Sequence, residues 1–472
     1  MFGTNPAYTE LLKINPFRFP DGIHVLEHID RLVEICNVCW PMYAAMPAVL
    51  KEAVLKSYES CGWDLTTSEN MISDRLYPSF RDLLEQLESV IDNSGYSQEV
   101  KSNYKGALLT RVKSLTNGLN GMLFSANEVD NSVLFDSNVV VDLSRVGSQE
   151  TKALLMGILV MRLSEHRMAF SEESNAKLRH ITVLEEAHNL LRANAAVSVE
   201  EGGSVAGKSV EMIANAIAEM RTYGEGFVIA DQSPNAVDIS AIRNTNTKII
   251  MRLPEETDRR MVGKAAACRE NQIDEIAKLP KGVAVIYQND WVEPVLCQVD
   301  RFDGVEREYE RKDTSDYSAD SRKAKAILIN WIAKNRLDRP DGIDIRRLDW
   351  AIENAECGVG TKMELYALKN EQKRNGRIRL WNEKEFLRQS NLVKNILNAD
   401  DMVEKARSVS PDMISFNCYL NTMIARQLDT PSDDEILCIS HCLLKAYGEL
   451  KDGGMEYYRS WYEEVTEGRR LM

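Results

Sequence analysis

The spacing of apolar residues changes along the chain and predicts where helices give way to strands. Between residues 28 and 124, apolar residues recur every three or four positions, as at Leu83, Leu87 and Val90. That interval places them on one face of an α-helix, so the stretch is predicted to be helical. Helix-breaking residues divide the stretch into several helices, and they are Pro41, Pro47 and Gly62.

A second pattern occupies residues 130–300, where short apolar runs alternate with longer amphipathic segments. The runs are predicted to be strands at residues 139–143, 181–184, 227–230, 248–252, 283–287 and 295–299. Helices are predicted from Glu150 to about His166 and from about Lys208 to Tyr223. Almost wholly apolar strands that alternate with helices are typical of a parallel sheet covered on both faces. This block is therefore predicted to be α/β.

Composition and charge exclude some classes of protein. The 472 residues include 72 acidic and 58 basic side chains, which gives a net charge of −14. The net charge therefore does not favour binding to nucleic acid or to an anionic membrane. Any contact with DNA requires a local surface of basic side chains. No apolar run approaches about 18 residues, so no membrane span or membrane partner is predicted. Nine scattered cysteines fit a cytoplasmic location.

Two consecutive carboxylates follow one of the predicted strands. Residues 181–184 are apolar, and Glu185 and Glu186 come directly after them. Ligands bind at the carboxyl ends of strands in open α/β sheets. Nucleoside triphosphate hydrolysis can use such a pair, one acid for the magnesium shell and the other to orient the attacking water. The alternative is a solvated strand end that runs into a helix.

Two further polar residues support the first interpretation. Gln232 follows the next apolar strand, and a neutral amide there suits a sensor of the γ-phosphate. Arg221 lies near the end of the preceding helix, where its guanidinium could bind phosphate oxygens in a bidentate manner. Arg221 could instead interact with the helix dipole or form a salt bridge.

Several segments together, in this order, resemble the HerA–FtsK superfamily of P-loop motor ATPases, and most closely its bacterial HerA-like branch. They are NPF at 15–17, VDLS at 141–144, LEEAH at 184–188, AEMRTYGEG at 218–226, ADQSP at 230–234 and NTNTKI at 244–249. The resemblance covers about residues 10–300. It implies an α/β, RecA-like ATPase core, with a mostly parallel sheet, that uses ATP and Mg²⁺.

The resemblance also implies how such a protein works. Its members form rings, here expected to be a hexamer of identical chains, that move duplex DNA through a central channel, and they often act beside a nuclease or other effector, including in anti-phage defence. By position, Glu185 would be the magnesium-side acid of the Walker B motif and Glu186 the catalytic one. Gln232 would be the γ-phosphate sensor, and Arg221 an arginine finger that reaches a neighbouring subunit.

The resemblance also suggests a division of the chain. Residues 1–27 would start the ATPase core, 28–127 would form a helical insertion, and 128–305 would complete the core with Walker B. Residues 306–321 are polar and predicted to be a linker, and residues 322–472 have the spacing of a C-terminal helical region.

The phosphate-binding loop is the point of departure from the family. Members carry this loop upstream of the helical insertion, and Met1 already lies past that point. The only match to its pattern is GGSVAGKS at 202–209, where Lys208 and Ser209 could address phosphate and Mg²⁺. A phosphate loop must follow a strand, and the residues before this one have no strand pattern. We therefore expect a surface loop that only resembles a Walker A motif.

Two functions remain open at this stage. One is a HerA-type motor whose upstream part is encoded separately, begins before this reading frame or has been lost, so that this chain alone hydrolyses ATP weakly or not at all. The other is a ring scaffold without nucleotide chemistry. Two cysteine groups, Cys36 with Cys39 and Cys438 with His441 and Cys442, are interpreted as packing residues because each lacks further ligands at zinc spacing.

Overall fold

The computed structural model describes residues 1–125, 128–171, 175–193, 203–305, 309, 319–335, 344–378 and 383–470. At 203–209, 383–384 and 467–470 it describes the backbone alone. The strands are β1 (Phe2–Gly3), β2 (Glu10–Leu11), β3 (Trp63–Asp64), β4 (Glu69–Asn70), β5 (Val141–Asp142), β6 (His180–Glu185), β7 (Glu225–Ala230), β8 (Thr247–Ile250), β9 (Val283–Gln288) and β10 (Val295–Gln298).

Helices make up most of the remainder. Those before the last strand are α1 (Val25–Cys39), α2 (Met46–Ser60), α3 (Phe80–Asn93), α4 (Gln98–Tyr104), α5 (Thr110–Leu115), α6 (Gly118–Leu123), α7 (Asn131–Phe135), α8 (Gln149–Ala169), α9 (Gly203–Glu219), α10 (Ile239–Asn244), α11 (Glu256–Ala265) and α12 (Glu270–Ile276). Those after it are α13 (Ala319–Lys334), α14 (Ile345–Asn354), α15 (Val359–Asn375), α16 (Glu383–Ile396), α17 (Met402–Val409), α18 (Met413–Ala425), α19 (Asp433–Leu450) and α20 (Gly454–Arg470).

The helical insertion follows its sequence pattern closely. Helix α1 ends just before Pro41, α2 begins with Pro47 in its first turn, and α2 ends just before Gly62. Helix α3 begins at a capping box in which Ser79 and Asp82 satisfy each other's backbone N–H groups. The sequence analysis did not predict the small hairpin of β3 and β4, whose pairing is antiparallel.

The strands of the α/β block lie within two residues of their predicted positions but form separate sheets. Strands β2, β1 and β5 pair in parallel, as do β6 and β7. Strands β8, β9 and β10 pair antiparallel, so the prediction of parallel pairing was wrong for this part. The connection between β9 and β10 is only residues 289–294, which is too short for the crossover that parallel neighbours need.

A single large hydrophobic cluster joins the insertion, the α/β block and the C-terminal helices. Helix α8 runs through it, with Leu154, Leu155 and Ile158 fully buried. One face of β6 and β7 packs on this cluster, but the opposite face is open to solvent. The prediction of a sheet covered on both faces was therefore wrong for these two strands, whose exposed apolar residues are Ile181, Val183 and Val228.

After residue 319 the elements that the structure describes are all helices, joined by turns and coil. Helix α19 begins at a second capping box, between Ser432 and Glu435, and packs on α16 and α20. Most of the predicted linker at 306–321 lies outside the described residues. The predicted class, an α/β core with a helical insertion and a helical C-terminal region, is confirmed. Among the described helices, none has the length and apolar character needed to cross a membrane.

Candidate active site

Strand β6 ends at the two carboxylates that the sequence singles out. Leu184 packs into the core, whereas Glu185, the last strand residue, is exposed at the carboxyl end. Glu186 follows with φ +50° and ψ +48°, a left-handed conformation that costs an ordinary residue about 1–2 kcal/mol. The side chain of Asn189 donates a 2.9 Å hydrogen bond to the carbonyl oxygen of Glu186, which helps to hold this turn.

The carboxylate of Glu186 has two further donors. Lys152 Nζ lies 3.2 Å from Glu186 Oε2, and Asn189 Nδ2 lies 3.3 Å from the same oxygen. The hydrogen bond and positive charge of Lys152 are the main reason that the pKa of Glu186 is lowered. The side chain is therefore ionised at neutral pH, as a residue that accepts a proton from water must be. The sequence analysis missed Lys152, because it belongs to α8 and carries no local signal.

The loop after β7 is tied to the loop after β6 by Asp231. Strands β6 and β7 pair so that Glu185 lies opposite Ala230, the residue before Asp231. The Oδ2 atom of Asp231 accepts hydrogen bonds from the backbone N–H of His188 (2.9 Å) and from its Nδ1 (2.8 Å). Since a carboxylate only accepts, Nδ1 carries the hydrogen here. Oδ1 accepts a bond from the Ser233 N–H at 2.9 Å.

These contacts fix the charge of Asp231. Burial raises its pKa, but the hydrogen bonds from Ser233 and His188 outweigh burial, and the pKa is lowered overall. Asp231 was not among the predicted site residues, although it stands next to Gln232. Gln232 itself is exposed directly after β7, and in the described part of the chain nothing bonds its amide. Glu185, Glu186 and Gln232 therefore share one edge of the β6–β7 sheet.

Asp142, the last residue of β5, is another carboxylate whose pKa is affected by the charge of Lys152. The backbone N–H of Ser144 donates a 2.8 Å hydrogen bond to Asp142. The hydrogen bonds from Ser144 are the largest cause of a lowered pKa of Asp142, and the charges of Arg145 and Lys152 lower it further. Lys152 therefore acts electrostatically on carboxylates at the ends of two different strands, Asp142 in β5 and Glu186 just after β6.

Arg221 lies at the amino end of β7, opposite the end of the strands where Glu185, Glu186 and Gln232 lie. It belongs to the 3₁₀ turn Met220–Tyr223, which precedes the first residue of β7. At about 3.3 Å per residue, β7 separates it from the Gln232 edge by roughly 16 Å. Its side chain is exposed and, within the described residues, has no acidic partner. The structure thus brings the two glutamates and Gln232 together and leaves Arg221 apart from them.

A polar cavity of about 870 Å³ also lies at this opposite edge, and its lining includes Arg162, His166 and Tyr223. Its basic side chains largely have internal partners: Arg162 Nη1 contacts Glu128, and His166 Nε2 lies 2.9 Å from Asp136. The residues that line the cavity do not include Glu185, Glu186 or Gln232, so the cavity is separate from the candidate active site.

The segment that matches the phosphate-loop pattern is largely helical. Helix α9 begins at Gly203, so the backbone of residues 203–209 is helical rather than a loop. Gly202 lies outside the described residues, as do the side chains of Lys208 and Ser209. A phosphate loop binds the phosphates with residues that precede its helix, whereas residues 203–209 already belong to α9.

Most residues of the two cysteine groups are packed, but Cys438 is exposed, so the interpretation of Cys438 as a packing residue was wrong. Cys36 and Cys39 are buried in α1, and burial raises the pKa of Cys36 to about 12. Cys442 is buried in α19, and the ring of His441 packs 4.8 Å from that of Trp461. Among the residues that the structure describes, no three or more His, Cys, Asp or Glu side chains group in a way that could hold a metal ion.

Comparison with known proteins supports the resemblance to HerA. The chain is 25% identical over 223 residues to the DNA double-strand break repair helicase HerA of Sulfolobus acidocaldarius, a match that covers 47% of this chain and 43% of that protein. The HerA helicase of Sulfurisphaera tokodaii is 24% identical over 243 residues, which cover 50% of this chain and 45% of the relative. No protein-family model matches the chain.

A solved structure, that of VirB4 from Thermoanaerobacter pseudethanolicus, superimposes with a TM-score of 0.47 and 15% identity over 64% of this chain and 77% of the other. The chain spans less than half the length of the curated relatives it matches. The predicted resemblance to HerA is confirmed over that part of the chain.

Proposed function

We propose that the chain is a subunit of an ATP-driven DNA translocase or helicase of HerA type. The observation that carries the proposal is the arrangement at the carboxyl edge of β6 and β7. There Glu186 is ionised and held, Glu185 is exposed beside it, and Gln232 follows the neighbouring strand. The HerA relatives are described as DNA repair helicases, which supports the choice of DNA as the substrate on which the subunit works.

Each residue at this edge has a distinct part in hydrolysis of Mg-ATP. Glu186 orients the attacking water and accepts its proton, because it is the carboxylate that is positioned by two donors. Glu185 binds the magnesium ion of the substrate through a water molecule. Gln232 contacts the γ-phosphate without adding negative charge, and its unbonded amide suits that contact.

Arg221 acts on a neighbouring subunit in this proposal. It lies too far from its own Glu186 to reach the same nucleotide, so a ring of identical chains, a hexamer, places it at the next site. Duplex DNA runs through the channel of the ring, where a local basic lining offsets the net charge of −14. The complex works in the cytoplasm with a nuclease or another effector, in DNA processing or defence against phage.

The division of the chain belongs to the same proposal. Residues 1–27 and 128–305 form the ATPase core, 28–127 its insertion, and 306–321 the linker to the C-terminal region at 322–472.

The proposal is tested by Mg-ATP binding and hydrolysis, with and without duplex DNA. Glu186→Gln is expected to reduce hydrolysis to a small residual rate and to keep nucleotide binding, because the amide cannot accept the proton of the attacking water. Glu211→Gln removes a comparable exposed carboxylate from α9 and should leave turnover unchanged. Unchanged turnover in Glu186→Gln would contradict the assignment.

A ring scaffold without nucleotide turnover is the second candidate, and it is favoured by the helical backbone of residues 203–209. A scaffold would assemble equally with and without Mg-ATP and would hydrolyse none. Turnover by the chain that is lost in Lys208→Ala would instead mean that the GGSVAGKS segment acts as the phosphate loop.

A further inference from the structure

Lys152 reaches the candidate active site from an element that the sequence motifs do not include. It lies in the first turns of α8, and its ammonium group is 3.2 Å from Glu186 Oε2. Its side chain is 21% exposed, compared with 56% for Glu186, so the lysine is the better-shielded member of the pair. An ion pair between two exposed side chains is weak because both move. A lysine that is mostly shielded moves less, and it therefore holds its carboxylate partner more firmly.

The support beneath Lys152 is rigid. Ser148 is the N-cap of helix α8, and its side chain accepts a hydrogen bond from the backbone N–H of Thr151. The helix then passes through the main hydrophobic cluster and packs on α1. It also contacts the 3₁₀ turn Ala187–Asn189 that follows Glu186. The position of the lysine is therefore set by the core and not by the loop that it contacts.

The two donors bind only one side of the carboxylate. Lys152 and Asn189 both bond Oε2 of Glu186. Within the described part of the chain, Oε1 receives no hydrogen bond. A carboxylate that is held by one oxygen has a fixed direction and still offers the other oxygen to a water molecule. This is the geometry that a general base needs, because it must accept a proton from a water in one defined position.

We propose that Lys152 is a positioning residue that holds the Glu186 carboxylate by Oε2 and leaves Oε1 to the attacking water. The proposal rests on the hydrolytic role proposed for Glu186. Lys152 does not contact the nucleotide in this proposal and acts only through Glu186. Its loss should therefore slow the chemical step without weakening the binding of Mg-ATP.

Steady-state hydrolysis of Mg-ATP by the full chain tests this. Lys152→Met should lower kcat about tenfold, a part of the 10²–10⁴ that a positioned base contributes, with KM within about twofold of wild type. Lys152→Arg, which keeps the positive donor, should recover most of the loss. Lys51→Met removes an exposed lysine that pairs with Asp30 on the surface, and it should change neither constant.

A double variant separates action through Glu186 from general damage. In the Glu186→Gln background, Lys152→Met should cause no further loss of the residual rate. A further loss of similar size, a KM that rises as kcat falls, or an unchanged kcat in Lys152→Met would each overturn the proposal.

A second measurement does not depend on turnover. In protein labelled with ¹⁵N-lysine, the Nζ resonance of Lys152 should shift in Glu186→Gln and stay in place in Glu99→Gln, which changes an exposed carboxylate of α4. An unmoved resonance in Glu186→Gln would show that the pair does not form and would overturn the proposal. Absence of ATP hydrolysis in wild type would exclude a motor that acts as this chain alone, while a shift of this resonance still supports the contact between Lys152 and Glu186.

Discussion

At the scale of single residues, the candidate site is held by side chains that bond the backbone of the two loops. Asp231 bonds the N–H groups of His188 and Ser233 and so joins the loop after β6 to the loop after β7. Asn189 holds the left-handed turn at Glu186. Strained turns of this kind persist where the surrounding contacts fix them. The positions of Glu186 and Gln232 therefore depend on neighbours that take no part in the chemistry.

Asp231→Asn is expected to destabilise the protein by about 1–3 kcal/mol at pH 7. An amide has one accepting oxygen, so its NH₂ group would face an N–H of His188 or Ser233 and leave a partly buried donor without a partner. The loss can be measured as a lower Tm in thermal unfolding. Asp238→Asn changes another aspartate that accepts from a backbone N–H two residues on, at the N-cap of α10. It should cost less because, among the described residues, the Asp238 carboxylate accepts hydrogen bonds from Ser240 alone.

The lowered pKa of Asp231 predicts that the stability lost in Asp231→Asn depends on pH. The folded pKa of Asp231 lies below its usual value, so its ionised form stabilises the fold fully above the unfolded pKa of about 3.9. That contribution is lost as the pH falls through the folded pKa. The Tm difference between wild type and Asp231→Asn should therefore be constant above about pH 5 and shrink below pH 4. A difference that grew on acidification would contradict this account.

At the scale of elements, β6 shows how alternation along a strand decides what each residue contributes. Leu184 is 8% exposed and packs on the core, whereas Val183 is 57% exposed on the opposite face. Successive side chains of a strand point to opposite faces, so two adjacent apolar residues of similar type have different surroundings.

Leu184→Ala is expected to cost about 2–5 kcal/mol, because it leaves a cavity in the core. Val183→Ala should cost less than about 1 kcal/mol, because water already reaches that side chain. Thermal unfolding of both variants compares the two faces directly. Equal losses would mean that the Val183 face is covered in solution.

At the scale of the whole molecule, the separation of Arg221 from Glu186 predicts sites shared between subunits. If Arg221 of one chain completes the site of the next, Glu186→Gln and Arg221→Ala chains can complement each other. A site at which an Arg221→Ala chain supplies Glu186 and a Glu186→Gln chain supplies Arg221 contains both groups.

Mixing the two inactive variants should therefore restore part of the ATPase rate, whereas each variant alone, or either mixed with a Glu186→Gln/Arg221→Ala double variant, should stay inactive. Restored activity must also depend on protein concentration, because it requires assembly. A mixture as inactive as its parts would contradict the shared site.

Much of the architecture could be predicted from local patterns. The helix ends at Pro41, Pro47 and Gly62 follow from backbone restrictions that act within one turn. The strands of the α/β block follow from runs of apolar residues, since burial on folding requires such runs. The hairpin of β3 and β4 was missed, because two-residue strands carry too little pattern to be recognised.

The sequence by itself determined the α/β class and the carboxylates at the end of β6, because each depends on residue types that are close together in the chain. It also determined the resemblance to HerA, which depends on short motifs and their order. Only the tertiary structure decided that β8, β9 and β10 pair antiparallel, that one face of β6 and β7 is open, and that Lys152 bonds Glu186. Lys152 and Glu186 are 34 residues apart in the chain. Contacts of that kind are set by how helices and strands pack, which local spacing does not encode.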